Sequence, residues 1–167
     1  MIKQERLKEL LNYDPTTGVF TWVAKRSGVH LGSAGGAGKD YARITVDGKT
    51  YPSHRLAWLY MTGDLVPAGL EIDHIDGDKL NNVWSNLRLA SRSENSFNKG
   101  ITKINTSGIK GLSKRDTRYW KAQLNVNHKI FSKHFPQTEE GKSLAIQWLE
   151  ELRAKFHGEF ANNGGLV

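Results

Sequence analysis

The stretch Glu71-Ile-Asp-His-Ile-Asp-Gly-Asp-Lys-Leu-Asn-Asn-Val-Trp-Ser-Asn-Leu-Arg-Leu-Ala-Ser-Arg-Ser-Glu-Asn95 decides how this chain folds. A turn signal, Asp-Gly-Asp, separates two arms at 70–75 and 86–90, which are predicted to pair as a loose antiparallel hairpin. Ser91 is expected to cap a short helix that runs to about residue 98, with Asn95 one turn inside it.

Three side chains of this stretch are of the types that phosphodiester hydrolysis uses. An imidazole titrates near neutral pH, so His74 is a candidate general base. Asp73 and Asn95 offer oxygen ligands that suit a hard cation such as magnesium, whereas an amide oxygen hardly suits zinc. Because neighbours in a strand point to opposite faces, a bend or bulge is expected to aim Asp73 and His74 at one phosphate.

Purely structural interpretations of the same residues exist. A single Asp-His pair is usually a solvated turn, and Asn82 and Asn86 are also common turn formers and caps. Asp73, Asp76 and Asp78 resemble the start of a calcium loop, but Gly stands at its fifth position where an EF-hand needs the sixth. Together, and at these spacings, the residues favour a nuclease site.

Residues 54 to 98 resemble the HNH endonuclease superfamily, in particular its phage and intron-encoded homing endonucleases. Asp73-His74 stands at the first His position, Asn86 at the central Asn and Asn95 at the third position, where Asn replaces the last His. The resemblance implies a ββα-metal core in which His74 is the general base and Asn86 braces both the hairpin and the His74 ring. It also implies that Asp73 and Asn95 hold one divalent ion, Mg²⁺ or alternatively Mn²⁺ and not zinc, and that the products carry 5′-phosphate and 3′-hydroxyl ends.

Further polar residues of this block are candidates for support. His54 and Arg55 either contact DNA phosphate near the site or, for His54, pack beneath it. Asn82 is a candidate supporting residue, and Asn98 either orients metal-bound water or ends the helix.

The bulk properties agree with a polyanionic partner. Lys and Arg number 24 against 17 Asp and Glu, which gives a formal charge of +7. Cysteine is absent, which excludes disulfides, Cys-based zinc sites and thiol nucleophiles. The amphipathic, charged N-terminus is unlike a signal peptide, and no apolar run approaches the ~20 residues of a membrane helix. We therefore expect a cytoplasmic protein of a bacterial or phage-infected cell that binds double-stranded DNA without a membrane or an evident protein partner, as a monomer or dimer.

The carboxyl-terminal part is strongly basic, with nine Lys or Arg and a single acid between positions 99 and 133. Three strands are predicted at 109–114, 119–126 and 129–135, with a tight turn at Asn127-His128 and a helix that Thr138 caps. Alternation along 119–126 places Trp120, Ala122, Leu124 and Val126 on one face, which the apolar helix residues 145, 148, 149, 152 and 156 can cover. Lys121, Gln123 and Asn125 then form the opposite, polar face.

Residues 108 to 161 resemble the APETALA-two/ethylene-response-factor DNA-binding domain, through segments such as Trp120-Lys-Ala-Gln-Leu124 and Phe156-His-Gly-Glu-Phe-Ala161. In such a domain a three-stranded sheet reads the major groove. The resemblance implies DNA contacts from Lys110, Ser113, Arg115, Gln123, Asn125, Lys129 and Phe131, and Lys121 shares their face. The structural alternatives are a solvated basic sheet and a core position for Phe131. Such domains also occur appended to HNH nucleases in phages and bacteria.

The amino-terminal part is predicted to hold a helix at 2–12, a strand at 19–23 and a Gly-rich loop at 32–38. A hairpin follows at 41–51, where Arg43 adds a weaker DNA contact. Ser53 is expected to cap a helix through Met61 that Gly63 ends.

The predicted fold is therefore α+β, in four parts: a helix and β-hairpin module (1–52), an HNH module (53–100), a linker (101–107) and a DNA-binding domain (108–162). The predicted function is that of a metal-dependent DNA endonuclease, a site-preferring nickase or homing endonuclease. The alternative is a catalytically inactive DNA-binding regulator, and an RNA-binding protein is disfavoured because the sheet lacks paired stacking aromatics.

Overall fold

The computed structural model describes residues 2–25, 28, 30–101, 104–115, 118–126 and 129–162. The chain mixes helices with small antiparallel sheets, as expected, and divides into two compact units, Met1–Arg92 and Ser93–Val167. Each unit contains its own hydrophobic cluster. The four predicted module boundaries remain predictions.

The amino-terminal unit opens with helix α1 (Gln4–Leu10), which leads directly into strands β1 (Leu11–Asp14) and β2 (Val19–Trp22). The predicted helix extended to residue 12, but burial alternates from Leu11 onwards and the chain pairs with β2 as a strand. Alternate residues of this segment are buried, and the segment pairs with a neighbouring strand. These interactions outweigh the helical spacing of its few apolar residues. The predicted Gly-rich loop contributes a two-residue strand, β3 (Ala34–Gly35), to the same sheet.

The second hairpin of this unit has the predicted form. Strands β4 (Arg43–Val46) and β5 (Lys49–Pro52) pair across a turn in which Asp47 and Gly48 both have positive φ, 48° and 76°. Helix α2 (Ser53–Thr62) follows. The predicted cap Ser53 is wrong, because Ser53 is the first helical residue and Pro52 takes the N-cap position.

The stretch around Asp73-His74 forms the predicted antiparallel hairpin. Strand β6 (Leu70–His74) pairs with β7 (Leu87–Ser91), and helix α3 (Arg92–Asn98) follows β7 without a break. The pairing stays in step through all five residue pairs, so the bulge expected at 73–74 is absent from these strands. Asp73 and His74 therefore leave opposite faces of β6 at its carboxyl end.

The core of the amino-terminal unit draws on nearly every one of its elements. Leu7 and Leu11 from the start of the chain, Phe20 from β2 and Leu56 from α2 are each at most 1% exposed. Ile72 and Leu87 bring the β6–β7 hairpin into the same cluster. The hairpin is thus anchored by the preceding 50 or so residues of chain, since burying one such side chain contributes about 1.5–3 kcal/mol.

The carboxyl-terminal unit contains the three predicted strands and the predicted helix. Strands β8 (Leu112–Lys114), β9 (Tyr119–Val126) and β10 (Lys129–Pro136) form an antiparallel sheet with β9 in the centre, and helix α4 (Glu139–His157) follows. Thr138 caps α4 as expected, because its Oγ1 accepts a hydrogen bond from Gly141 N at 3.0 Å. The predicted turn at Asn127-His128 lies outside the described residues.

The two faces of β9 differ as the alternation predicts. Trp120, Ala122, Leu124 and Val126 are buried and cluster with Ala145 and Leu149 of α4. The intervening residues of β9 face away from this cluster, where Asn125 is exposed. No helix in the described ranges is long and apolar enough to cross a membrane.

Candidate active site

His74 ends strand β6 and is only 5% exposed. Its Nε2 lies 3.4 Å from Oδ1 of Asn82, while Nδ2 of Asn82 donates to Leu80 O at 3.0 Å. That second hydrogen bond orients the amide, so the atom facing the imidazole is an acceptor. We therefore assign the hydrogen of neutral His74 to Nε2, which places the basic lone pair on Nδ1.

Asn82 is itself held by the first hairpin of the chain. The hydroxyl of Tyr13 donates to Asn82 O at 2.7 Å, and Trp84 N donates to Pro15 O at 3.0 Å. Burial raises the pKa of Tyr13 to about 12, so the hydroxyl remains a donor at neutral pH. Gly18, with φ +73°, lies so close to this segment that a Cβ would stand 2.4 Å from the carbonyl carbon of Asn82.

Asn86 braces the loop that joins the two strands. Its Oδ1 accepts from Asp76 N at 3.0 Å, and its Nδ2 donates to Asp76 Oδ1 and to Asn81 O, both at 2.9 Å. Burial alone would raise the pKa of the Asp76 carboxyl, but hydrogen bonds from Asn81 and Asn86 hold it below its ordinary value. Asn86 thus contacts the hairpin loop, whereas the contact with the His74 ring comes from Asn82.

Asp73 is buried and lies directly opposite Arg88 in the β6–β7 register. Nε and NH2 of Arg88 both lie 2.9 Å from Oδ2 of Asp73. The guanidinium compensates the charge of the buried carboxylate. Any cation on Asp73 would share this carboxylate with Arg88.

One buried carboxylate, Asp73, is a candidate metal ligand beside His74 in the chain. Within the described ranges, no three His, Asp or Glu side chains are grouped so that they could hold a metal ion. Magnesium is commonly held by one or two protein carboxylates, with water and substrate phosphate completing its shell. Asp73 can supply one such carboxylate, and the absence of cysteine in the sequence excludes thiolate zinc sites.

Two aromatic rings surround His74. The ring of His54 stands edge-on to it with centroids 5.2 Å apart, and the ring of Tyr41 lies 6.2 Å away. Burial, followed by the nearby charges of His74, Arg55 and Arg43, lowers the pKa of His54 to about 4. Nδ1 of His54 is buried without a hydrogen-bond partner among the described residues. His54 is therefore a neutral packing residue of the site, and Arg55 is exposed.

Asn95 and Asn98 lie on α3, the helix that follows the hairpin. Asn98 is buried at the end of the helix, and its carbonyl accepts a hydrogen bond from Asn162 Nδ2 at 2.8 Å. Next to it in the chain, Phe97 stacks on His157 with centroids 3.7 Å apart. The end of α3 is thus fixed by residues near the carboxyl terminus of the described chain.

Four candidate DNA contacts, Ser113, Lys121, Gln123 and Asn125, lie on the outer side of the carboxyl-terminal sheet, whereas Lys129 pairs with the buried Val126. Exposed or half-exposed positions are Ser113, Arg115, Lys121, Gln123, Asn125 and Lys129, and Arg43 is exposed in the amino-terminal unit. Lys110 differs, because its Nζ donates to the carbonyls of Phe97 and Lys99 at the end of α3. Phe131 stacks on Phe156 of α4 at 5.0 Å, which is the core position that the sequence left open.

Two residues of the site could not be singled out from the sequence. Tyr41 and Arg88 gave no indication of their roles, because a tyrosine in a loop and an arginine in a strand carry no local signal of their partners. A cross-strand charge pair could have been found for Arg88, since it is the residue opposite Asp73 once the hairpin register is known.

Comparison with known proteins points to one family. Residues 51–97 match the family model described as HNH endonuclease. The chain is 37% identical over 109 residues to Protein 3.8 of Escherichia phage T7, an alignment that covers 65% of this chain and 86% of the phage protein. It is 33% identical over 124 residues to a protein of Acanthamoeba polyphaga mimivirus named as an HNH endonuclease, covering 74% of this chain and 63% of that protein. No solved structure shows a significant match.

The matched segment contains Asp73, His74, Asn86 and Asn95, so the similarity extends over the hairpin and helix described above. The phage relative is matched over most of its own length, well beyond this segment alone. Together with the geometry around His74, these similarities show that the chain belongs to the HNH endonuclease family and is a DNA-cleaving hydrolase.

Proposed function

We propose that the protein hydrolyses phosphodiester bonds in double-stranded DNA with His74 as the general base of a ββα-metal site. The observation that carries this proposal is the Asn82 amide, whose fixed orientation leaves Nδ1 of His74 as the basic nitrogen. Nδ1 takes a proton from water, the oxygen attacks phosphorus, and the 3′ oxygen leaves with the strand. A positioned general base contributes about 10²–10⁴-fold to such a reaction.

Asp73 and Asn95 would hold one divalent ion, Mg²⁺ or Mn²⁺, which when bound neutralises charge on the phosphate and on the leaving oxygen. The buried carboxylate of Asp73, paired with Arg88, supports this role. Asn95 is assigned from its position in the motif. Asn86 holds the loop that turns away from the end of β6, the place where a phosphate could meet His74.

The carboxyl-terminal sheet supplies DNA affinity and site preference in this proposal, as the APETALA-two resemblance implies. Lys121, Gln123 and Asn125 project from the face of β9 opposite the core, and Gln and Asn side chains there can pair with adenine. One active site cuts one strand, so a monomer would be a nickase and a double-strand break would need a dimer or two events. The proposal that the protein acts as a homing endonuclease in a bacterial or phage-infected cell is supported by the similarity to a phage protein.

The first test is cleavage of supercoiled plasmid by the purified protein with magnesium. We expect open-circle product that disappears in EDTA and falls by about 10²–10⁴-fold in His74→Ala. His74→Ala should still retard the plasmid on a gel, because the basic sheet is unchanged. Intact plasmid with clear retardation by the wild type, on DNA shown to contain a bound site, would instead favour the inactive regulator.

The second test separates affinity from chemistry. A triple variant, Lys121→Gln with Gln123→Ala and Asn125→Ala, should bind more weakly, and the slope of log affinity against log salt should fall by about one for each phosphate that the variant no longer binds. Lys155→Gln on the exposed side of α4 is the matched control. Equal affinity and salt slope in the triple variant and the control would refute the assignment of this face.

A further inference from the structure

A pocket in the amino-terminal unit is lined by three cationic side chains. Lys39 and Arg43 come from the loop that leads into β4 and from the first residue of that strand, and Lys79 comes from the connection between β6 and β7. Tyr41 also lines the pocket, and the remaining lining residues include one carboxylate, Asp40. The formal charge of the pocket is thus +2, three cations against one anion.

The loop that presents these cations has a constrained shape. Ala37 and Arg43 exchange two backbone hydrogen bonds, 3.1 and 3.3 Å long, which close the five residues between them into a tight loop. A Cβ on Gly38 would lie 2.0 Å from Tyr41 O, so this closure requires glycine. The side chains at 39, 41 and 43 are therefore carried on a defined backbone.

The pocket lies beside the catalytic histidine. Nζ of Lys79 stands 5.2 Å from the centroid of the Tyr41 ring, on the pocket side. The same ring lies 5.3 Å from His54 and 6.2 Å from His74. The Tyr41 ring, which lines the pocket, therefore lies close both to Lys79 and to the proposed general base.

The cations of this pocket differ from other arginines of the same unit. Arg6, Arg88 and Arg92 each form an ion pair with a carboxylate. Lys39, Arg43 and Lys79 form none with any described residue. Cations that converge on one concave site without ion pairs favour an anionic ligand, because the pocket keeps a net positive charge even with Asp40 in its lining.

We propose that this pocket binds a backbone phosphate of the DNA strand that is cut, close to the scissile phosphate, and so sets the path of that strand across His74. Successive phosphates of one strand are about 3.4 Å apart along the helix axis. A phosphate bound on the pocket side of the Tyr41 ring would therefore be close, in the same strand, to the phosphate at His74. The inference rests on the proposed function, since it presupposes a phosphodiester at His74. It adds a substrate-positioning site outside the HNH motif.

The test compares Lys39→Gln with Lys79→Gln, as a double variant, against a double variant of equal charge at the start of the chain, Lys3→Gln with Lys8→Gln. Cleavage of a short duplex that carries the mapped cleavage site is measured as kcat and KM at several salt concentrations. We expect KM to rise about tenfold in the pocket variant and the salt slope to fall by about one to two, while the control stays at the wild-type values. Lys39→Arg with Lys79→Arg should restore most of the loss, which would exclude a folding defect.

A second measurement locates the phosphate. Duplexes in which a single phosphate near the cleavage site is replaced by a neutral methylphosphonate are cut by the wild type and by the pocket variant. We expect one flanking position to raise KM for the wild type and to have no further effect on the pocket variant. Wild-type cleavage with the same KM and the same methylphosphonate profile in both proteins would overturn the inference alone. A wild type that leaves every duplex intact would overturn the proposed function and this inference with it.

Discussion

The two units of the molecule bury polar side chains in different ways. In the amino-terminal unit the buried Asp73, His74 and Asn82 are engaged with other side chains or lie beside them. In the carboxyl-terminal unit, the buried Arg153 donates to the backbone carbonyl of Lys110, and the backbone carbonyl of Asn98 accepts from Asn162 Nδ2.

This difference separates a site from a structural junction. Side chain–backbone hydrogen bonds satisfy carbonyls that the fold leaves without partners, and they lend no reactive atom to solvent. Side chain–side chain contacts at the end of β6 orient an imidazole and a carboxylate instead. Burial of a polar group alone therefore does not identify an active site.

The largest expected effect on this comparison is a loss of stability at Arg153, which is 1% exposed. Arg153→Ala removes the hydrogen bond to Lys110 O and leaves a cavity beside Gly111, so we expect the carboxyl-terminal unit to lose about 2–4 kcal/mol of stability. Urea unfolding followed by circular dichroism measures this loss. Arg118→Ala, an exposed arginine of the same unit, should change stability little. A stable Arg153→Ala protein would show that the buried arginine is not structural.

A substitution at Asn82 tests the role of buried polar residues in the amino-terminal unit. Asn82→Ala removes the acceptor that orients His74, and we expect kcat to fall about 10- to 100-fold, the usual cost of losing a supporting hydrogen bond at a site. DNA affinity should be unchanged, because Asn82 is buried. Asn12→Ala, an exposed asparagine of β1, is the matched control. If kcat stays at the wild-type value in Asn82→Ala, another group orients the imidazole.

The smallest effect concerns His157, whose pKa is lowered to about 4 by burial and by the charges of Lys110 and Arg153. Because the ordinary pKa is 6.5, the unfolded chain binds this proton more readily. The stability that neutral His157 contributes is therefore complete above pH 6.5 and is lost as pH falls towards 4. His157→Phe keeps a ring against Phe97, so its stability should depend less on pH than that of the wild type, by on the order of 1 kcal/mol.

Unfolding midpoints between about pH 4 and pH 7 provide the measurement, with exposed His134→Phe as the control. Identical pH profiles of the wild type and His157→Phe would mean that the histidine gains its proton without cost to the fold.

The elements that could be predicted from the sequence are those with local signals. Asp47-Gly48 specified one hairpin, and alternating apolar residues specified β9 and its buried face. Thr138, followed by two acids, specified the start of α4. The errors came where local signals were ambiguous: Ser53 is a good cap by type, but Pro52 before it already has the extended backbone of an N-cap.

The candidate site was also predictable only in part from the sequence. The family resemblance proposed motif positions for His74 and Asn86. It does not distinguish which asparagine reaches the imidazole, because the loop from Asp76 to Asn82 folds back on itself. Tyr41 is far from His74 in the chain and meets it only through the tertiary fold. Contacts of this kind depend on packing and have no sequence pattern of their own.

The close approach of Gly18 to Asn82 has a practical consequence for engineering. A nuclease cassette cut at residue 53 and fused to another DNA-binding protein would lack both the glycine that admits the Asn82 backbone and the tyrosine that holds its carbonyl. The transferable unit would instead begin near Gln4. Recombination between genes would likewise preserve cleavage only if it carried the first hairpin along with the motif.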